Sequence, residues 1–205
     1  MIPKRIILAS GSPRRREMLE RFSIKFDIVP SDADENISVD IPCGEYVTLL
    51  AKRKGEAVRD ALTKKGEDLS DALIISCDTV VYYDKMILGK PENETVARLT
   101  LGMLSDSWHE VYSGLCLIYG NETVCDFAST SVKFAEISER DIERYVASGE
   151  PFGKAGAYAV QGVGGAFVER TEGDVNNVIG FPLTLFCRML KERFGITIFD
   201  LGEIK

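Results

Sequence analysis

The stretch "DALIISCDTVVYYDKMILGKP", residues 71 to 91, decides the class of fold. Residues 71–77 are almost continuously apolar. That is the pattern of a strand covered on both faces, which occurs where helices flank a sheet. Asp78 then reads as the residue at which the strand ends. The following "VVYYDKMILGKP" predicts a hairpin turning at Asp84-Lys85. Upstream, "RIILASGSPRRREML" (5–19) predicts a buried strand over 5–9 and then a helix of about ten residues, with Ser12 as N-cap and Pro13 at N1.

The rest of the chain repeats this mixture. A short strand is expected over 26–30, an acidic loop "SDADENIS" over 31–38, and a long helix from about Glu45 to Lys64. Residues 92–104 predict another helix. "HEVYSGLCLIYG" and "TVCDFASTSVKFAEI" predict two antiparallel strands turning at Gly120-Asn121. Ser138 with Asp141 caps a helix that stops at Gly149, and Pro182 opens a last helix ending near Gly195. "GKAGAYAVQGVGGAFVE" reads as Gly-rich strand and loop. No repeat or low-complexity linker separates these elements. The expectation is one α/β domain over 1–205.

Composition removes several function classes. The chain is 45% hydrophobic and 28% charged, as expected of a folded, soluble core. No stretch approaches the ~20 apolar residues that cross a bilayer. Met1 to Ser10 runs into the first strand without a signal-peptide pattern, so a cytoplasmic location is expected. Cys43, Cys77, Cys116, Cys125 and Cys187 are scattered, without a CxxC pair. They read as small buried hydrophobes, not as a disulfide framework or zinc site. His109 is the single histidine, which excludes a multi-histidine metal site. The net charge of −7 argues against nucleic-acid binding and for a small anion wherever positive charge clusters.

Positive charge does cluster. Arg14, Arg15 and Arg16 occupy the first turn of a helix, where the macrodipole disfavours cations. An anion seated on the free backbone N–H groups would reverse that penalty. Arg15 shares a helical face with Met18, Leu19 and Phe22, Arg14 shares a side with Met18, and Arg16 faces Glu20 as an ordinary surface pair. On the long helix, Lys54 lies in the apolar stripe of Val47, Leu50, Ala51, Ala57, Val58 and Ala61, whereas Lys52 and Arg53 lie off it. A lysine facing inward is costly unless it meets an anion, or snorkels to the surface. Asp78, with Thr79 beside it, stands where α/β sheets bind ligands and could hold a metal or take a proton from water. Asp32, Asp34 and Glu35 are oxygen donors suited to Mg²⁺ or Mn²⁺. Lys90 follows Gly89, which allows close backbone approach. Cations on phosphate oxygens and a carboxylate that activates water are the requirements of phosphate-ester hydrolysis. Neither a Walker sequence nor a credible Rossmann fingerprint is present.

Taken in order, "LASGSPRR" (8–15), "DADE" (32–35), "LAKRKG" (50–55), "CDTVV" (77–81), "LGKP" (88–91), "SGEPFGKAGAYAVQG" (148–162) and "NVIGFP" (177–182) resemble the Maf family of nucleoside triphosphate pyrophosphatases. The resemblance runs from Ile6 to about Leu190. It implies a mixed central sheet flanked by helices in two lobes with a cleft, as in inosine triphosphatases. It also implies hydrolysis of the α–β phosphoanhydride to a monophosphate and pyrophosphate, and a divalent metal. Asp78 matches the proton acceptor, and Glu35 with Asp78 the acidic residues at the metal. Ser10, Arg14, Arg15, Lys54 and Lys90 match the residues around the phosphates, and Gln161 one that helps read the base. Arg14, Thr79 and Gln161 resemble the branch acting on dTTP and UTP, and modified analogues of these are further candidates. The implied role is cleansing of the nucleotide pool, with a link to cell-division arrest and a homodimer both left open. The chain departs from the family pattern at Gly153, at "AVQG" and in "SDSWHEV".

Three other readings compete with this one. One is a nucleotide-binding regulator without turnover. Another is a haloacid-dehalogenase-type phosphatase with Asp32 as nucleophile. The third is a Ser-His-Asp hydrolase using His109, which lacks the GxSxG elbow.

Overall fold

A computed structural model describes residues 2–37 and 41–202. Ser38, the last residue of the acidic loop, lies outside the described residues. Helices flank a mixed seven-stranded sheet, as the sequence predicts. The chain divides into two compact units, Met1–Asp78 with Ser113–Ala128 and Gly180–Lys205, and Thr79–Tyr112 with Ser129–Ile179. No described helix is long and apolar enough to cross a membrane.

In the first unit, β1 (Arg5–Leu8) pairs in parallel with β2 (Asp27–Ile28) on one side. On its other side it pairs in parallel with β3 (Ala72–Tyr83), Arg5 opposite Ala72 and Leu8 opposite Ile75. Beyond β3 come parts of β5 (Trp108–Tyr119) and β6 (Glu122–Phe134), joined by the predicted two-residue turn. The long helix α2 (Cys43–Lys64) starts two residues earlier than its sequence suggests. It buries Val47, Leu50, Ala51, Gly55, Val58 and Leu62; Ala57 and Ala61 are only half-buried. Ala51 and Val58 pack with Ile7, Ile74 and Cys116. The approach is close enough that a Cβ at Gly114 would stand 2.1 Å from the Val47 carbonyl oxygen, so only glycine fits there.

In the second unit the sheet order is β4 (Met86–Leu88), β3, β5, β6, β7 (Val168–Glu172). One face carries Val81, Val111, Val132 and Phe134. These pack against Leu101 and Leu104 of α3 (Glu94–Leu104) and Ile142 and Tyr145 of α4 (Glu139–Ala147). The caps read from sequence are in place: Ser138 accepts from the Asp141 N–H, and Gly149 closes the helix at φ +78°. The hairpin turns at Asp84 and Lys85, both with positive φ, as a two-residue type I′ turn requires.

Three expectations are corrected. The strand starting at residue 72 does not stop at Asp78; it runs five residues further, to Tyr83. Val80 and Val81 are buried too, and a charged residue within a strand is tolerated when its charge is met. The Gly-rich segment forms single 3₁₀ turns at Ala155–Ala157 and Val163–Phe167, and strand begins only at Val168. Short helices α5 (Val175–Ile179) and α7 (Ile198–Leu201) carry too little periodicity to be read from sequence, although Thr197 and Asp200 form a capping box. Between them, α6 (Leu183–Met189) follows Pro182 as predicted.

Candidate functional site

The first unit gathers most of the predicted residues. Helix α1 (Pro13–Glu20) is shorter than expected, with Ser12 as an extended N-cap whose side chain makes no capping bond. The start of a helix is where backbone N–H groups and the dipole favour an anion. Arg15 turns inward as predicted. Its Nε donates to the Gly180 carbonyl at 2.9 Å and its Nη1 to the buried Ser10 hydroxyl at 3.1 Å. Both acceptors are neutral. Arg14 is half-buried, and burial followed by the charge of Arg15 pulls its pKa below the usual arginine range. An anion at this turn would relieve both effects. Arg16 pairs with Glu20 at 2.7 Å on the surface, as expected.

Lys54 is the centre of the arrangement. Its side chain is 12% exposed, and its Nζ lies 2.6 Å from Asp78 Oδ1 and 2.9 Å from Glu35 Oε1. Burial pulls the ammonium down. The charge of Asp78 and the hydrogen bonds to Asp78 and Glu35 outweigh burial and hold its pKa above the ordinary lysine value. Asp78 is buried, whereas Glu35 is 59% exposed, so the trio opens to solvent on the Glu35 side. Burying such a group is poor economy for stability alone, because desolvation offsets much of the Coulomb gain. Thr79, half-buried, follows Asp78 on β3.

Two residues of this region escaped the sequence reading. Arg53, which lies off the apolar stripe, donates from Nη1 to the carbonyls of Asn36 (2.9 Å) and Asp34 (3.4 Å), and so fixes the backbone on both sides of Glu35. Tyr46 lies two helical turns before Lys54; burial, then the charges of Asp78 and Glu35, raise its hydroxyl pKa. Its i, i+4, i+8 relation to Leu50 and Lys54 is the signal that could have found it.

Glu35 and Asp78 supply two carboxylates to one point. Among the described residues, no three His, Cys, Asp or Glu side chains gather to hold a metal by themselves. Two carboxylates fit Mg²⁺ or Mn²⁺ completed by substrate oxygens and water.

The second unit carries the remaining predicted residues. Lys90 follows β4, is exposed and has no hydrogen-bond or ion-pair partner among the described residues. The preceding Gly89 carbonyl accepts from the Gly156 N–H at 3.2 Å, which ties "LGKP" to the Gly-rich loop. Gln161 is exposed at the tip of that loop. Glu150, not singled out from sequence, shapes the tip. It accepts from Tyr145 Oη at 2.8 Å, Gly164 N at 3.0 Å and Val163 N at 3.1 Å. Burial raises the Glu150 pKa, but these hydrogen bonds more than reverse it. Gly153, a departure from the family pattern, has φ +74° and open space where a Cβ would stand, so the backbone there is one that glycine suits.

His109 does not belong to a hydrolytic triad. It is 2% exposed, its Nε2 pairs with Tyr158 Oη at 2.9 Å, and its ring meets Phe134 and Tyr158 edge-on. Burial lowers its pKa to about 4, so the ring is neutral and structural at pH 7.

Comparison with known proteins agrees with the motifs. A family model described as Maf-like protein matches residues 5–193. A dTTP/UTP pyrophosphatase of Caldicellulosiruptor saccharolyticus is 45% identical over 191 residues, covering 92% of this chain and 94% of the relative. A dTTP/UTP pyrophosphatase of Bacillus cereus is 43% identical over 189 residues, covering 92% and 95%. Among solved structures, the Ham1 protein of Staphylococcus aureus shares 16% identity, covering 65% of this chain and 73% of that one, with a TM-score of 0.42, a likeness too slight to argue from.

Proposed function

The chain belongs to the Maf family, and from that premise we propose that it is a pyrophosphatase of dTTP and UTP, hydrolysing each to its monophosphate and pyrophosphate. The observation that carries this reading is the buried Lys54 shared between Asp78 and Glu35. Asp78 is the base: it takes a proton from the water that attacks phosphorus while the α–β anhydride bond breaks. Lys54 holds Asp78 in position at 2.6 Å and places a positive charge where phosphate oxygens gain negative charge. Arg14, Arg15, Ser10 and the first-turn N–H groups of α1 bind phosphate oxygens. Lys90 contacts phosphate, and Thr79 and Gln161 contribute to substrate choice. A divalent cation, Mg²⁺ or Mn²⁺, would be held by Glu35 and Asp78 and would supply neutralisation of phosphate charge.

The two units form one functional domain over 1–205. Action in the cytoplasm on pyrimidine nucleotides, canonical or modified, makes the protein a housekeeper of the nucleotide pool. A link to cell-division arrest belongs to the same reading.

The test is a product assay. Purified protein with Mg²⁺ or Mn²⁺ is given dTTP, UTP, CTP, GTP and 7-methyl-GTP, with pyrophosphate and orthophosphate detected separately. Pyrophosphate from dTTP and UTP is the expected result. Orthophosphate as first product would replace the reading with a phosphatase. Binding without product would replace it with a regulator.

A further inference from the structure

Cys116 and Cys125 are nine residues apart in sequence and show no CxxC spacing, yet the β5–β6 hairpin sets them face to face. Two observations fix the register. The connection is the two residues Gly120-Asn121, and at the far end the Phe134 N–H donates to the Ser107 carbonyl at 3.0 Å. Both place 116 opposite 125. Counting in twos from the bonded pair Ser107–Phe134, Cys116 and Cys125 fall at a non-hydrogen-bonded position. There, Cα atoms stand about 4.5 Å apart and side chains approach most closely. That separation falls at the near end of the range a disulfide spans, roughly 4.4–6.8 Å. The two thiols lie close enough that each shifts the other's ionisation.

The two sulfurs are not equivalent. Cys116 is fully buried, among Ile74, Ala51 and Val58. The interaction with Cys125, and then burial, push its thiol well above the ordinary range. Cys125 is half-buried, so part of it reaches solvent. The interaction with Cys116 and the positive charge of Lys52 on α2 favour its thiolate, against burial and Glu56. One sulfur is thus accessible and activated, and the second is held in contact behind it. This is the arrangement of an attacking and a resolving cysteine.

We propose that Cys116 and Cys125 form an oxidisable dithiol, a modification site that closes to an intrachain disulfide with hydrogen peroxide and reopens with thiol reductants. The Cys125 thiolate attacks one peroxide oxygen and the O–O bond breaks. The departing hydroxide takes a proton to become water, and Cys125 becomes a sulfenic acid. The Cys116 sulfur then attacks the Cys125 sulfur; the S–S bond forms, the S–O bond breaks, and the oxygen leaves as water with the Cys116 proton. Two thiols and one peroxide give one disulfide and two waters. The sheet is already in register, so closure requires no strand to slip. The proposal concerns the thiols and stands whether or not the nucleotide reading holds.

The test uses the reduced full chain treated with hydrogen peroxide, alkylated under denaturing conditions and analysed by mass. The expected product has lost two hydrogens and two alkylatable thiols. Its fragments cut after Glu122 stay joined until dithiothreitol is added. Cys125→Ser should show no such loss, and Cys116→Ala should stop at a Cys125 sulfenic acid trapped by dimedone. Sulfinic acid at Cys125 with Cys116 still alkylatable, a disulfide through any other cysteine, or an unreacted pair would each overturn the proposal. The wild-type experiment decides the matter even if either variant folds poorly.

Discussion

Each unit of this molecule buries polar groups on β3 or β5, and the two solutions are opposite. In the first unit, Lys54, Asp78 and Glu35 bring one positive and two negative charges together, with the Lys54–Asp78 contact largely out of water. In the second, His109 is packed among Phe134 and Tyr158, and burial strips its charge. The histidine cluster minimises its cost by becoming neutral. The lysine cluster retains its charges, the carboxylates holding the ammonium protonated. A fold selected only for stability has little reason to keep a charged site like that of Lys54. The difference separates a group available for chemistry from one absorbed into the core.

The sharpest way to break this contrast is Asp78→Asn. The variant should fold and bind nucleotide, but turnover should drop by about 10²–10⁴-fold, because the base is lost while the cations stay. Pyrophosphate release alongside a thermal melt measures both. Unimpaired release would remove Asp78 from the chemistry and make the trio structural. Next in size is Lys54→Ala, which leaves Asp78 buried without its 2.6 Å partner. A loss of about 3–5 kcal/mol in urea-unfolding stability is expected. A loss near zero would mean that water reaches Asp78 freely.

His109 tests the neutral side. Its folded pKa of about 4 lies below the ordinary 6.5, so the unfolded chain binds the extra proton first. Stability from this group is therefore complete above pH 6.5 and declines as pH falls from 6.5 towards 4. The decline should reach about 3 kcal/mol. Unfolding curves across that range, wild type against His109→Phe, isolate it, because the lost Tyr158 hydrogen bond costs the same at every pH. Equal slopes would show that the imidazole is solvated. The smallest effect is expected from Arg14→Ala, on the order of tenfold weaker triphosphate binding. Calorimetric titration should show the deficit shrinking at high salt. Arg16→Ala, which removes only an exposed pair with Glu20, serves as the control and should change neither affinity nor melting temperature.

Much of this contrast could be read in advance. Lys54 stood out because a lysine in an apolar helical stripe violates the pattern, and its partner proved to be Asp78. Arg15 stood out by its spacing to Met18 and Leu19, and Arg16 by its spacing to Glu20. Other features were not legible because they depend on contacts between distant segments. Arg53 looked like surface until the loop at 34–36 came to lie against it, and Glu150 looked like loop until the backbone of 163–164 closed on it. The same limit explains the strand boundary. Asp78 looked like a strand end because its counter-charge, 24 residues away, cannot be seen from within β3.

The order of elements, the cap at Ser138, the two hairpins, the family and the inward-facing cations were determined by sequence alone. These depend on local periodicity, turn chemistry and short motifs, which act over a few residues. Tertiary structure alone decided that Asp78 lies within a strand, that Glu35 shares the ammonium of Lys54, and that His109 is uncharged. Each of these depends on burial or on a partner brought from elsewhere in the chain. Desolvation and contact between remote segments exist only once the sheet and helices have packed.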